Sequence, residues 1–214
     1  MPADRDMGRR RRSRGKGRID GFSDGVFGVA ITLLVVDLAI HPPGTALQQV
    51  LHAWPAYLAY TISFLTIGGA WLLHNALTEQ LARTDPVFLR LNLLLLLVVV
   101  FLPFPTRLVA EALHNPADER VFVTMYGLTL LVIRLLGFAL DAYARYEHLY
   151  APAEEGEEEL RTSQRKFLPG VIGYVITIII GLFLPTAAVA LYFGIAVYLV
   201  MPFRDVARLV FRGS

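Results

Sequence analysis

The stretch RIDGFSDGVFGVAITLLVVD, Arg18 to Asp37, joins a basic leader to a helix that is apolar nearly all round, and that pairing decides the class of the chain. No charged group occurs from Gly25 through Val36. The same character extends outward, because 55% of the 214 residues are hydrophobic and only 18% are charged. Soluble domains run nearer 45–50% apolar and about 25% charged. A bilayer span uses about 20 mostly apolar residues, and approximate spans are read at 19–40, 54–76, 87–109 and 120–141. The apolar region that follows, 168–203, is too long for one span and carries Pro185 near its centre. A proline there removes an N–H and breaks the helical ladder, so the region reads as a hairpin of two short spans, 168–184 and 186–203. The expected fold class is an all-α integral membrane protein with six transmembrane helices. A basic cytoplasmic tail, residues 1–18, precedes a single membrane unit, residues 19–214.

Positive charge sets the orientation, since cytoplasmic loops carry the Lys and Arg excess. With the N-terminus inside, seventeen of the twenty Lys and Arg fall on the inner side, eight of them before Ile19. An odd number of spans would place Arg204, Arg208 and Arg212 outside. A multi-pass protein of the cell membrane with both termini cytoplasmic is therefore expected. The start does not read as a cleaved signal: the apolar stretch is long, contains Asp24 and Asp37, and lacks a small-residue cleavage site. Beside a membrane span, the basic tail serves orientation and attraction to anionic lipid, and no nucleic-acid partner is expected. The acidic run EEGEEE, 154–159, reads as a solvated surface segment.

Reactive chemistry is scarce. There is no H-E-x-x-H, G-x-S-x-G or phosphate-cradling glycine loop. Zero cysteines exclude a thiolate site, and His41, His52, His74, His114 and His148 lack the spacing that puts metal ligands on one helical face. No enzyme activity, no cofactor, no metal centre and no small-molecule substrate are expected. Polar residues inside spans are costly and face a partner or water. Arg18, Ser23, Asp24, His74, Asn75 and Asn92 share one depth at the inner side, with Arg18 and Asp24 as charge partners. By depth alone this cluster reads more simply as helix-to-helix glue than as a substrate route. Arg134 either pairs with Asp141, two turns away, or snorkels.

On a helical wheel Val29, Leu33, Val36 and Ile40 lie within about 60° of one another, with Thr32 beside them. Gly21, Gly25, Gly28 and Thr32 form a neighbouring small-residue stripe suited to close helix packing. Periodicity alone leaves the apolar face open to three readings: pore-lining, lipid-facing or buried.

The same residues carry a resemblance. Arg18 to Asp24 resembles the R-x-x-x-F-S-D signature of the transmembrane protein 175 family, the endolysosomal potassium channels and their bacterial relatives. Trp71 and His74 resemble the W-x-x-H that ends the family's second helix. Asn92 resembles its third-helix asparagine, and Pro103 to Thr106 (PFPT) its third-helix exit. The likeness runs in order across roughly the first half of the chain; the last three spans match only in number and hydrophobicity.

The resemblance implies a six-helix channel subunit whose pore is lined by the first helix, with no T-V-G-Y-G filter. Animal members hold two copies of the unit per chain; this chain holds one, which implies a homotetramer in the lipid bilayer. It places Val29 at the hydrophobic constriction, Thr32 at the pore-facing threonine, and Leu33 and Val36 in the next apolar layers. Val29 is a departure, since Ile or Leu is usual there. Arg18, Phe22, Ser23, Asp24, Trp71, His74 and Asn92 correspond to a network bracing the pore helix. Potassium is the expected permeant ion, weakly selected, because an apolar ring offers few oxygens to replace water and potassium sheds its shell more cheaply than sodium. Asp37 near the outer mouth either concentrates cations or is simply solvated. The competing function is a proton-coupled or proton-conducting secondary transporter, motivated by Asp24 and His74.

Overall fold

Proline, aspartate and threonine set most of the helix ends. The computed structural model describes residues 2–36, 38, 45–112, 119–151 and 167–201, with α1 side chains from Gly17 onward. Helix α1 is Pro2–Val36. The short α2, Ala46–His52, opens on a capping box in which Thr45 and Gln48 satisfy each other's backbone N–H. Pro55 lies in the first turn of α3, Trp54–Glu79, where its missing N–H has no intrahelical role. Asp85 caps α4, Pro86–Phe101, accepting from Phe88 N at 2.7 Å.

The run then bends rather than ends. Pro103 cannot donate, Leu102 N turns back to Val99 O at 3.2 Å, and α5, Pro103–Ala112, begins at once. The PFPT segment thus opens a second helical piece instead of closing the third span. Helix α6 is Glu119–Tyr146; it stops where His148 takes a left-handed φ of 51° and Leu149 N reaches Ala144 O at 2.8 Å. Helices α7, Phe167–Gly181, and α8, Pro185–Val200, form a hairpin with Pro185 in the first turn of the second.

Four helical runs are long and apolar enough to cross a bilayer: Gly17–Val36, Trp54–Glu79, Pro86–Ala112 and Glu119–Tyr146. Helices α7 and α8, at 15 and 16 residues, reach only about 22–24 Å, short of the ~30 Å hydrocarbon layer. Helix α3 lies at the centre, packed by α1, α5 and α8, while α6 holds α4 on one side and α7 on another. Lipid tails are as apolar as leucine, so close packing and interhelical hydrogen bonds hold such a bundle together.

One such tie is fully buried. Ser63 Oγ lies 2.7 Å from Thr106 Oγ1 and 2.8 Å from Tyr126 Oη, joining α3, α5 and α6. Thr106 donates to Leu102 O at 2.7 Å, leaving its oxygen to accept from Ser63 and Ser63 to accept from Tyr126. Ser63→Ala is expected to lower stability by about 1 kcal/mol, read as an earlier thermal transition of the detergent-solubilised protein; an unchanged transition would show the tie to be idle.

Candidate functional site

Helix α1 has two faces of opposite character. Ser23, Phe27, Ala30 and Leu34 recur at helical spacing and are buried against the rest of the chain. The opposite side is bare: Val29 is 54% exposed, Leu33 41% and Val36 69%, with Thr32 exposed among them. Gly21, Gly25 and Gly28 border this side, and a methyl group added to any of them would meet nothing within 4 Å. Thr32 Oγ1 donates to Val29 O at 2.9 Å, so its proton turns inward and its oxygen lone pairs remain outward. Four residues picked from the wheel thus share one open stripe. Ile40 and Asp37 lie outside the described residues.

Behind the stripe runs a buried polar chain across three helices. Asn92 Nδ2 on α4 donates to Ser23 Oγ on α1 at 3.1 Å, and Asn92 Oδ1 meets His74 Nε2 on α3 at 2.8 Å. His74 therefore presents Nε2 as an N–H donor. The Phe27 ring packs on its imidazole with centroids 5.5 Å apart. At the edge, Trp71 Nε1 donates to Asp24 Oδ1 at 2.8 Å.

Of the seven residues of the network implied by resemblance, Ser23, Asn92 and His74 form this chain, and Asp24 and Trp71 form a separate pair. The other two stand apart. Phe22 is 56% exposed, and among the described residues Arg18 makes no ion pair with Asp24, whose carboxylate is taken by the indole. The Arg18–Asp24 pairing is corrected accordingly. Asn75 turns to Glu79 on its own helix at 3.0 Å and does not join the chain. No group of three His, Asp or Glu able to hold a metal occurs among the described residues.

A second polar assembly, unread in the sequence, ties the loop after α3 to the end of α6. Tyr143 Oη donates to Asp85 Oδ2 at 2.6 Å, Arg83 to Glu147 O at 2.8 Å, and Leu81 pairs with Tyr150 in an antiparallel bridge. The Phe88 N–H and then the Tyr143 hydroxyl hold the Asp85 carboxyl below the usual carboxylate range. Tyr150 Oη donates to Asp141 Oδ1 at 2.7 Å, and Arg145 Nε approaches the same carboxylate at 3.3 Å. Asp141 is thus engaged by Tyr150 and Arg145, and the pairing with Arg134, one of the two readings offered for that residue, is not made. Arg134 lies instead over the Phe167 ring, 5.7 Å from its centroid. The TDP at 84–86 was a readable helix-start signal; the tyrosine partners, 58 and 9 residues away from the carboxylates they serve, carried none.

Long apolar helices tied by buried polar bonds, without a converging set of reactive groups among the described residues, define an all-helical integral membrane protein. The family described as "Endosomal/lysosomal potassium channel TMEM175" matches residues 18–103. A potassium channel of Streptomyces collinus is 36% identical over 166 residues, spanning 76% of this chain and 80% of that protein. One from Chamaesiphon minutus is 36% identical over 190 residues, 85% of this chain and 92% of that protein. The crystal structure of a lysosomal potassium-selective channel TMEM175 homolog from Chamaesiphon minutus superposes with a TM-score of 0.76 at 32% identity, covering 87% of this chain and 96% of that one. The chain belongs to the TMEM175 channel family.

Proposed function

We propose that this chain is the subunit of a potassium-permeable, weakly selective cation channel of the cell membrane. The membrane unit has six transmembrane segments, the four long runs and the short hairpin of α7 and α8, residues 1–18 form a cytoplasmic tail, both termini are cytoplasmic, and four copies assemble with α1 around the axis. The observation that carries this reading is the open stripe Val29, Thr32, Leu33 and Val36 on a helix whose other face is locked by the Ser23–Asn92–His74 chain. Its bacterial relatives bear the name potassium channel, which favours a channel over the transporter reading.

The chemistry follows from hydration. A ring of isopropyl groups at Val29 supplies no oxygen, so an entering cation keeps its water or sheds it uncompensated, and potassium does so at lower cost than sodium. The same ring closes by dewetting. One turn on, the outward lone pairs of Thr32 receive a partly stripped cation, because the hydroxyl proton is already given to Val29 O. Proton passage is a second property to measure, since the Gallus gallus relative, 31% identical over 115 residues but matched over only 23% of its length, bears the name proton channel TMEM175.

Purified protein in liposomes is expected to dissipate a potassium gradient, and wild-type vesicles without cation flux at any voltage would refute the proposal. Val29→Asn is expected to raise flux and weaken preference for potassium over sodium. Flux rises roughly tenfold for each ~1.4 kcal/mol removed from the dehydration barrier. Saturable flux coupled to pH and abolished by Asp24→Asn would support the transporter instead.

A further inference from the structure

Helix α2 buries none of its residues, yet it is amphipathic. Leu47, Val50, Leu51 and, at the start of α3, Trp54 follow the i, i+3, i+4, i+7 spacing of one helical face. All four are exposed, Leu47 at 69% and Leu51 at 64%. Gln48, Gln49 and His52 lie on the opposite side. Two of them turn onto the helix's own backbone: Gln48 Oε1 accepts from Thr45 N at 3.0 Å, and His52 Nδ1 lies 3.0 Å from Gln48 O. Apolar residues exposed singly are ordinary, but an aligned row of them marks a contact surface.

What the row meets is indicated by its continuation and by its charge. Ala53 N reaches Gln49 O at 3.1 Å and Tyr57 N reaches Ala53 O at 3.2 Å, so the helical phase passes through the junction despite Pro55. The row therefore runs on down α3 through Tyr57, Thr61 and Phe64, all exposed, on a helix long and apolar enough to cross the bilayer. From Leu38 to Thr78 the sequence has no Asp, Glu, Lys or Arg. Segments that stand in water normally carry such residues, as Asp118, Glu119 and Arg120 do before and at the start of α6. Trp54 and Tyr57 are the residue types that gather at headgroup level, and they stand where α2 meets the span. The capping box and the Ala53 N–H bond also satisfy backbone groups at both ends of α2, which lowers the cost of leaving water.

We propose that α2 docks on phospholipid, lying in the surface of the leaflet that α1 reaches at Val36, with Leu47, Val50 and Leu51 among the upper acyl chains and Gln48, Gln49 and His52 among the headgroups. Helices of this kind sink about 5–10 Å into the boundary between headgroups and chains. Apolar area alone drives the docking here, because α2 carries no Asp, Glu, Lys or Arg, and acidic lipid is not required. The anchoring is independent of conduction and of the number of copies that assemble.

The chain has no native cysteine, so a single spin label reports one position. Leu47→Cys, Leu51→Cys and His52→Cys are made in the full-length chain, labelled and reconstituted in vesicles of phosphatidylcholine alone. Power saturation compares collisions with lipid-soluble oxygen and with a water-soluble nickel chelate. Labels at 47 and 51 are expected to show an oxygen-to-nickel ratio several-fold above that at 52. A second reading needs no cysteine: the emission of Trp54, taken as the difference between wild type and Trp54→Phe, is expected to be quenched by phosphatidylcholine brominated high on its chains and shielded from aqueous acrylamide. Nickel contact at 47 and 51 equal to that at 52 leaves the row in water and overturns the proposal. Labels at 47 and 51 shielded from oxygen and nickel alike place protein over the row, a second copy included, and overturn it too. So does insertion that appears only once acidic lipid is added, since charge would then be the driving force.

Discussion

Replacing Asn92 by leucine is expected to cost about 2–4 kcal/mol, because two buried groups lose their partner at once. Ser23 is fully buried and receives the Asn92 amide; His74 is 3% exposed and gives its Nε2–H to the Asn92 oxygen. Leucine keeps the volume and removes both bonds, so the loss comes from unpaired polar atoms rather than a cavity. Ser23→Ala, which leaves the histidine contact intact, is expected to cost about 1 kcal/mol. Melting curves of the solubilised variants check both. Equal shifts for the two would mean that the chain is not continuous through Asn92.

The second large effect lies where α6 meets α8. A Cβ on Gly127 would collide with the Tyr192 hydroxyl and come within 2.7 Å of its ring carbon and 2.8 Å of Ile178 Cγ1. An aromatic ring packed edge-on against Tyr126, 5.7 Å between centroids, has little freedom to retreat. Gly127→Ala is expected to lose about 3 kcal/mol to overpacking and regain up to about 1 from helix propensity. Tyr192 Oη has no hydrogen-bond partner among the described residues, so Tyr192→Phe is expected to be tolerated and to rescue part of the Gly127→Ala loss. A double variant no more stable than Gly127→Ala alone would show that the hydroxyl is not the obstacle. Gly28→Ala is the control: its added methyl meets nothing within 4 Å, so its melting transition is expected to be unchanged or slightly raised by helix propensity.

The sequence made legible what depends on runs of one kind of residue. The uncharged stretch from Gly25 to Val36 and the long apolar segments announced the membrane class. The W-x-x-H and L-N-L elements brought three helices into one polar chain. Helix ends were harder, since spans counted by hydrophobicity stop at the first charges. Helix α3 runs past 76 to Glu79 and α6 past 141 to Tyr146, because polar residues continue the helix beyond the lipid. Helix α1 likewise begins at Pro2, the Arg and Lys before Arg18 being good helix formers that apolar counting discards. Contacts set by tertiary geometry were hidden. Ser63 finds Thr106 and Tyr126 across 43 and 63 positions, and nothing local distinguishes it from Thr61, which bonds only its own backbone. Arg134 and Asp141, two turns apart on one helix, looked like partners until Tyr150 folded back to claim the carboxylate.

Within the chain, the residues that hold α1 in place and those on its open stripe never coincide. Variation at positions 29, 32, 33 and 36 leaves the anchor at 23, 27, 30 and 34 untouched. A combinatorial library confined to the first four positions should therefore yield well-expressed protein throughout; if the stripe lines the pore as proposed, conductance varies across it. On that proposal evolution would enjoy the same latitude, able to retune what passes without renegotiating how the chain folds.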